Sequence, residues 1–151
     1  MDKHNLNNIA IFFVLLIALL IFASQLNTRP SGPDSLAVFE DVTVEEAKKM
    51  IEEEDVFVLD VRTPGEFNSS HIEGATLIPF TNSAGSNLSP DQLLEARINE
   101  VPKERKILVY CRTGRRSAVA SKILVAAGYT QVYNMQGGIT AWTGAGYPVV
   151  S

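Results

Sequence analysis

Residues 106–128 read KILVYCRTGRRSAVASKILVAAG and pass from an apolar run, through a short loop, into a helix-prone run. The apolar run KILVYC (106–111) predicts a buried strand. Residues 116–128 predict a helix, and Gly128 suits the left-handed position that follows a helix. The one cysteine of the chain, Cys111, therefore lies at the end of a predicted strand, beside a loop that carries three arginines.

The same alternation of strand and helix extends over residues 36–151. The β-prone apolar run VFVLDV (56–61) is typical of a strand buried on both faces of a parallel sheet. Thr43 and Glu46 have the spacing of a capping box at a helix start. The predicted elements are strands at 38–42, 56–61, 76–80, 106–111 and 131–135, helices at 44–54, 89–101 and 116–128, and a short closing helix or turn at 138–146. They predict an α/β sandwich with a mainly parallel sheet flanked by helices.

The N-terminal region differs from this domain in composition. Residues 9–23, IAIFFVLLIALLIFA, are apolar and uncharged, and with wider limits of 6–26 they are long enough to cross a membrane as a helix. Two interpretations stay open: a retained single-span anchor, which the weakly cationic start and the poor cleavage site favour, and a cleaved signal peptide. Residues 24–35 are rich in Pro, Gly, Ser and Asn and predict a flexible linker.

The charge that flanks the apolar run predicts its orientation. Lys3, in the N-terminal flank (1–8), favours a cytoplasmic N-terminus. We therefore expect a single-pass protein of the cytoplasmic membrane with its domain on the extracytoplasmic, periplasmic side. The alternative is a secreted or periplasmic protein after signal cleavage.

Composition limits the partners of the domain. The net charge is −4 and no basic stripe runs along a predicted helix, which argues against nucleic acid as a partner. A single cysteine cannot form an internal disulfide. Cys111, His4 and His71 lack the spacing of metal ligands. The sequence therefore predicts neither a metal site nor a cofactor.

Two polar segments are expected to meet at one edge of the sheet. Ligands of parallel α/β sheets bind just beyond the carboxyl ends of the strands. Cys111 follows one predicted strand, and the segment DVRT (60–63) ends another. The site is therefore predicted where these two segments converge.

The loop after Cys111 has the features of an anion cradle. It leads directly into a helix, so the backbone N–H groups of residues 112–117 can point toward the sulfur, and Gly114 permits the tight turn. Together with the three arginines, these groups should lower the pKa of the thiol below its free value of about 8.5. The alternatives are a cysteine that is only a small buried hydrophobe, a salt bridge that occupies Arg115 or Arg116, and a Ser117 that only caps the helix.

Four separated stretches resemble the rhodanese-like domain, a sulfurtransferase module. They are VLDVRTPGEF (58–67), HIEGATLIPF (71–80), ILVYCRTGRRSAVASKIL (107–124) and NMQGGITAWTGAGYPV (134–149), in the family's order. The resemblance implies a three-layer sandwich around a five-stranded parallel sheet. It also implies that Cys111 takes a sulfane sulfur from thiosulfate or a similar small anionic donor. The resulting persulfide would pass its sulfur to cyanide or to a thiol or protein acceptor.

The resemblance also assigns roles to individual residues. His71 matches a histidine that is usually structural, whereas Arg62 resembles a position that faces the pocket. Asp60 is expected to be structural and to bond loop backbone groups, with a chemical role as the alternative. Ser70 replaces the glycine that usually precedes the histidine, and Trp142 fits a packing position. The residues implied to bind the donor or the persulfide are Arg112, Thr113, Gly114, Arg115, Arg116, Ser117 and Arg62.

Loop length separates this pattern from related hydrolases. Cys111 to Arg116 is a six-residue loop, which is similar to that of sulfurtransferases, whereas the related phosphatases would need arginine where this chain has Ser117. A phosphatase or arsenate reductase is therefore the less favoured alternative. The other alternative is a non-catalytic binding or sensing module at the membrane.

Overall fold

The computed structural model describes residues 38–81 and 86–151, which belong to one compact unit. Five strands form one sheet in the order β1-β5-β4-β2-β3, and every strand pair is parallel. The strands are β1 (Glu40–Val42), β2 (Val56–Asp60), β3 (Thr76–Leu77), β4 (Lys106–Tyr110) and β5 (Val132–Met135). The prediction of an α/β fold with a parallel sheet is confirmed.

In the described part of the chain, four helices connect the strands, and a fifth follows the last strand. They are α1 (Val44–Glu53), α2 (Pro64–Ser69), α3 (Leu94–Arg97), α4 (Arg115–Ala126) and α5 (Gly138–Gly144), and short 3₁₀ turns lie at Pro90–Gln92 and Ile98–Glu100. Thr43 and Glu46 form the predicted capping box at the start of α1. Gly128 follows α4 with φ +89°, as predicted for a left-handed helix end.

The sheet is buried on both faces because alternate side chains of its central strands pack against different helices. On one face, Ile107 and Val109 lie in a cluster with Leu94 of α3 and Leu124 of α4. On the other face, residues of the sheet pack against α1 and α5, and this cluster includes Leu108, Tyr110, Ala47, Met50, Ile139 and Trp142. The result is three layers: helices, sheet, helices.

One predicted helix is interrupted. Residues 89–101 do not form a continuous helix, because Leu93 is extended (φ −93°, ψ 160°) and separates a 3₁₀ turn from α3. The break lets the Leu94 N–H donate to the Pro79 carbonyl at 2.8 Å, and the Leu94 side chain is fully buried. Here a tertiary contact overrides the helix propensity of the segment.

The edge strand β3 is shorter than the predicted strand at 76–80. Regular pairing with β2 stops after Leu77, and Pro79 has no N–H to donate. Two further backbone bonds still join this segment to β2 and its end, from the Ile78 N–H to the Asp60 carbonyl at 3.0 Å and from the Phe80 N–H to the Val61 carbonyl at 3.1 Å.

The predicted membrane segment (9–23) and linker (24–35) lie outside the described residues. Among residues 38–81 and 86–151, no helix combines the length and apolar character that a membrane crossing requires.

Candidate active site

The loop after β4 makes a tight turn onto α4. Cys111 follows the last residue of the strand, and Arg115 begins the helix only four positions later. Gly114 makes this turn with φ +89°, and a Cβ at this position would lie 3.1 Å from the Gly137 backbone nitrogen. Glycine is therefore favoured by the left-handed conformation, and the close approach of a second chain segment adds to this preference.

The Cys111 sulfur lies inside this turn. The residue is only 1 % exposed, and its Sγ accepts a hydrogen bond from the Gly114 N–H at 3.1 Å. The Ser117 Oγ lies 3.5 Å from Sγ and 3.1 Å from the Gly114 carbonyl. Since a hydroxyl has one proton, Ser117 can donate to only one of these acceptors at a time. A thiolate is the stronger acceptor, so ionisation of Cys111 should turn the proton toward Sγ.

Two opposing effects act on the pKa of the Cys111 thiol. Burial raises it, because a charged sulfur loses its hydration. Hydrogen bonds from the Ser117 hydroxyl and from the backbone N–H groups of Ser117, Thr113 and Gly114 lower it, and they outweigh burial. The net pKa is below the ordinary value, so the geometry agrees with the predicted anion cradle.

The three loop arginines divide into two kinds. Arg112 and Arg115 are exposed. Arg116 is partly buried and forms two hydrogen bonds with the Glu66 carboxylate, Nη1–Oε2 at 2.8 Å and Nη2–Oε1 at 2.5 Å. This contact, together with hydrogen bonds from Thr63, lowers the pKa of Glu66 to about 2 against the opposing effect of burial. The pKa of Arg116 is raised first by Glu66 and, more weakly, by Cys111.

An open pocket of about 740 Å³ lies over the loop. Its lining residues are Thr63, Glu66, Phe80, Arg112, Thr113, Arg115, Arg116 and Val119. Four of them are absent from the predicted site, namely Thr63, Glu66, Phe80 and Val119. The spacing of Thr63 and Glu66 is that of a capping box, which the structure contains at the start of α2 and which the sequence could have revealed. No comparable signal marks Phe80 or Val119.

Arg62 does not line this pocket, contrary to the prediction. It is 3 % exposed, and its guanidinium bonds the fully buried Asp60 carboxylate, Nε–Oδ2 at 2.9 Å and Nη2–Oδ2 at 2.6 Å. Its Nη2 also donates to the Ser70 carbonyl at 2.6 Å. The cause is local: a carboxylate two residues earlier captures the guanidinium and holds it inside the fold. Asp60, which was expected to be structural, is fully buried and accepts hydrogen bonds from Arg62.

His71 and Trp142 have packing contacts. The His71 ring stacks on Phe67 with 3.8 Å between ring centroids, and its Nδ1 lies 3.0 Å from the Phe67 carbonyl. Trp142 is buried, and its indole N–H donates to the Pro148 carbonyl at 2.9 Å. The resemblance implies a structural role for His71 and a packing role for Trp142, and neither residue lines the pocket.

Comparison with known proteins identifies the family. The family model of the rhodanese-like domain matches residues 43–145. A sulfurtransferase of Allochromatium vinosum is 35% identical over 105 residues, which are 70% of this chain and 88% of that protein. Thiosulfate sulfurtransferase 16, chloroplastic, of Arabidopsis thaliana is 40% identical over 92 residues, 60% of this chain and 76% of that protein.

A solved structure agrees with this assignment. The crystal structure of a rhodanese-related protein from Thermoplasma volcanium superposes with a TM-score of 0.62 at 28% identity, and the match covers 74% of this chain and 98% of that one. The five-stranded sheet, the cysteine loop and these relatives lead to one conclusion: the chain belongs to the rhodanese-like domain family.

Proposed function

We propose that the protein is a sulfurtransferase that carries a sulfane sulfur as a persulfide on Cys111, taken from thiosulfate or a similar donor. The observation that carries this proposal is the cradle of N–H and hydroxyl donors around Sγ, which lowers the pKa of the thiol despite its burial. A thiolate is the nucleophilic form of cysteine. The likeness to a thiosulfate sulfurtransferase supports the choice of donor.

The first half of the reaction is a displacement at sulfur. The Cys111 thiolate attacks the outer sulfur of thiosulfate, the S–S bond of thiosulfate breaks, and sulfite leaves with the electron pair of that bond. The product is a Cys111 persulfide anion. The N–H groups of the loop are suited to stabilise this anion because they are fixed before the reaction. Arg112 and Arg115, exposed at the pocket, would attract and orient the anionic donor.

The second half passes the outer sulfur to an acceptor. An acceptor nucleophile, cyanide or a thiolate, attacks the outer sulfur and regenerates the Cys111 thiolate, giving thiocyanate or a new persulfide. With one cysteine in the sequence, the chain cannot release the sulfur by forming an internal disulfide. An external acceptor is therefore part of the proposal.

Mass spectrometry of the intact protein tests the first half directly. Full-length protein in detergent is incubated with thiosulfate, and its mass should increase by one sulfur atom; addition of cyanide should remove the sulfur and produce thiocyanate. Cys111→Ala should give neither signal. Absence of both signals in the unmodified protein would contradict the proposal. Tight binding of a partner protein without persulfide would instead favour a non-catalytic module, and Cys111-dependent turnover of phosphate esters or arsenate would favour the hydrolase or reductase.

We also propose that residues 9–23 anchor the domain to the cytoplasmic membrane, with the domain on the periplasmic side. The support is the uncharged apolar composition of residues 9–23, the greater length that the wider limits 6–26 give, and Lys3, which favours a cytoplasmic N-terminus. Mass analysis of the N-terminus of protein extracted from membranes tests this proposal. An intact N-terminus is expected, and a chain that begins shortly after residue 23 would identify a cleaved signal peptide.

A further inference from the structure

The first turn of α5 contacts the cysteine loop through its backbone. The Ile139 N–H donates to the Cys111 carbonyl at 2.9 Å, and the Thr140 N–H donates to the Arg112 carbonyl at 3.1 Å. Neither Ile139 nor Thr140 lines the pocket. These two bonds therefore hold the loop from outside the site.

These bonds orient the loop N–H groups because a trans peptide is planar. Its N–H points away from its C=O, so a peptide whose carbonyl is bound on one side presents its N–H on the other. The peptide that carries the Arg112 carbonyl also carries the Thr113 N–H, one of the donors that lower the pKa of Cys111. When Thr140 holds the Arg112 carbonyl, it thereby turns the Thr113 N–H away from α5.

The two segments come this close only because residue 138 has no side chain. Gly138 is buried and has φ +56°. A Cβ at this position would lie 2.3 Å from the Cys111 carbonyl oxygen and 2.7 Å from the Arg112 carbonyl carbon and oxygen. These atoms are backbone, so no side-chain rotation could relieve the overlap. Any side chain at residue 138 would push the loop and α5 apart.

We propose that Gly138 is a positioning residue for the chemistry of Cys111: it lets α5 bind the Cys111 and Arg112 carbonyls, so that the Thr113 N–H faces Sγ. Its consequence for sulfur transfer rests on the proposed function, whereas its effect on the loop does not. Gly138 touches neither donor nor acceptor and acts through the peptides of residues 111–113. The segment NMQGG (134–138) thus contributes to the site without lining it.

Gly138→Ala is the first test, with Gly144→Ala as its matched control. Gly144 lies in the same helix, a Cβ added there would meet no atom within 4 Å, and its φ is not positive. The readout is the pH dependence of Cys111 alkylation by iodoacetamide, measured on full-length protein. We expect Gly138→Ala to move the titration to higher pH and to slow alkylation at neutral pH by about tenfold, the effect of about one pKa unit. Gly144→Ala should titrate like the unmodified protein.

A second pair targets the Thr140 hydrogen bond itself. Thr140→Pro deletes the N–H that holds the Arg112 carbonyl and puts the ring Cδ in its place, so this carbonyl has to move away from α5. Thr140→Ala keeps that N–H, and the Thr140 side chain is exposed. We expect Thr140→Pro to shift the Cys111 titration in the same direction as Gly138→Ala, and Thr140→Ala to leave it unchanged.

The outcomes separate this inference from the proposed function. An unchanged Cys111 titration in a folded Gly138→Ala or Thr140→Pro protein would overturn the positioning role. Failure of both variants to fold while both controls fold would assign the contact to stability alone and would also overturn it. If the unmodified protein gains no sulfur from thiosulfate, the proposed function fails, yet the alkylation profiles still test Gly138.

Discussion

The segments at the ends of β2 and β4 lie at the same edge of the sheet but use their charges differently. At the end of β2, Asp60 and Arg62 satisfy each other inside the fold, with side chains 0% and 4% exposed. At the end of β4, the backbone around Cys111 donates inward to the sulfur, while Arg112 and Arg115 remain exposed. Charge at a sheet edge therefore does not by itself mark a site.

The difference comes from what each segment offers its charged groups. Asp60 provides Arg62 with a carboxylate two residues away, and because both groups are buried, loss of either partner would leave the other charge unpaired inside the fold. The Cys111 loop contains no carboxylate, so its donors stay directed at a sulfur that can become an anion. The first segment supports the edge of the sheet, and the second is the one for which we propose a reaction.

The largest effect is expected at the buried pair. Arg62→Ala should lower the free energy of unfolding by about 3–5 kcal/mol, because it leaves the Asp60 carboxylate buried without its partner. Arg97→Ala is the control, since Arg97 pairs with Glu100 at the surface and should cost about 1 kcal/mol or less. Chemical denaturation of both variants measures the two losses. Equal losses would mean that Arg62 is not the structural residue that its contacts indicate.

The next largest effect is expected in the loop that follows β4. Ser117→Ala should raise the pKa of Cys111 by roughly one to two units, since a hydrogen bond to a charged group is worth about 1.5–3 kcal/mol. At neutral pH alkylation should slow, and the difference should disappear once the pH exceeds both pKa values. Ser121→Ala is the control: Ser121 is buried in the same helix, and its Oγ has no hydrogen-bond partner within the described part of the chain. A shift of equal size in both variants would remove Ser117 from the cradle.

The loop between β4 and α4 could be predicted from the sequence because it is local. Strand, tight loop and helix follow one another within residues 106–128, and the donors around Cys111 come from the next six residues. Contacts between residues that are distant in the sequence have no recognisable spacing. Arg116 and Glu66 are separated by 50 positions, and no spacing rule connects residues so far apart.

Two errors have the same physical origin. The predicted orientation of Arg62 toward the pocket ignored a competing partner, and the predicted helix at 89–101 ignored the bond that Leu94 makes to Pro79. In both cases a buried contact overrides a local preference. Pattern and propensity describe a segment alone, whereas burial is decided by the neighbours that the fold supplies.

The pair Arg116–Glu66 is intermediate, because its side chains are 23% and 28% exposed. The folded pKa of Glu66 is about 2, against an ordinary value of 4.5. A lowered carboxyl pKa contributes stability that is fully present above pH 4.5 and is lost as the pH falls toward 2. Glu66→Gln should therefore cost about 1 kcal/mol at pH 7, after allowance for solvent screening. The difference in free energy of unfolding between this variant and the unmodified protein, measured by denaturation, should be smaller at about pH 3. A difference that does not depend on pH would contradict the ion pair.

The smallest effect is expected for the exposed arginines, whose proposed role is to attract the donor. Arg115→Ala should raise the KM for thiosulfate by about two- to fivefold at low salt, because one exposed charge near an anion is worth about 1 kcal/mol or less in water. At high salt the difference should disappear, since screening removes an interaction of this kind. Lys122→Ala is the control, because Lys122 is an exposed cation of the same helix that does not line the pocket. An increase of the KM that persists at high salt would mean that Arg115 holds the donor by a direct contact. Arg115 and the buried Arg62 would then differ in the partner that each binds rather than in their exposure.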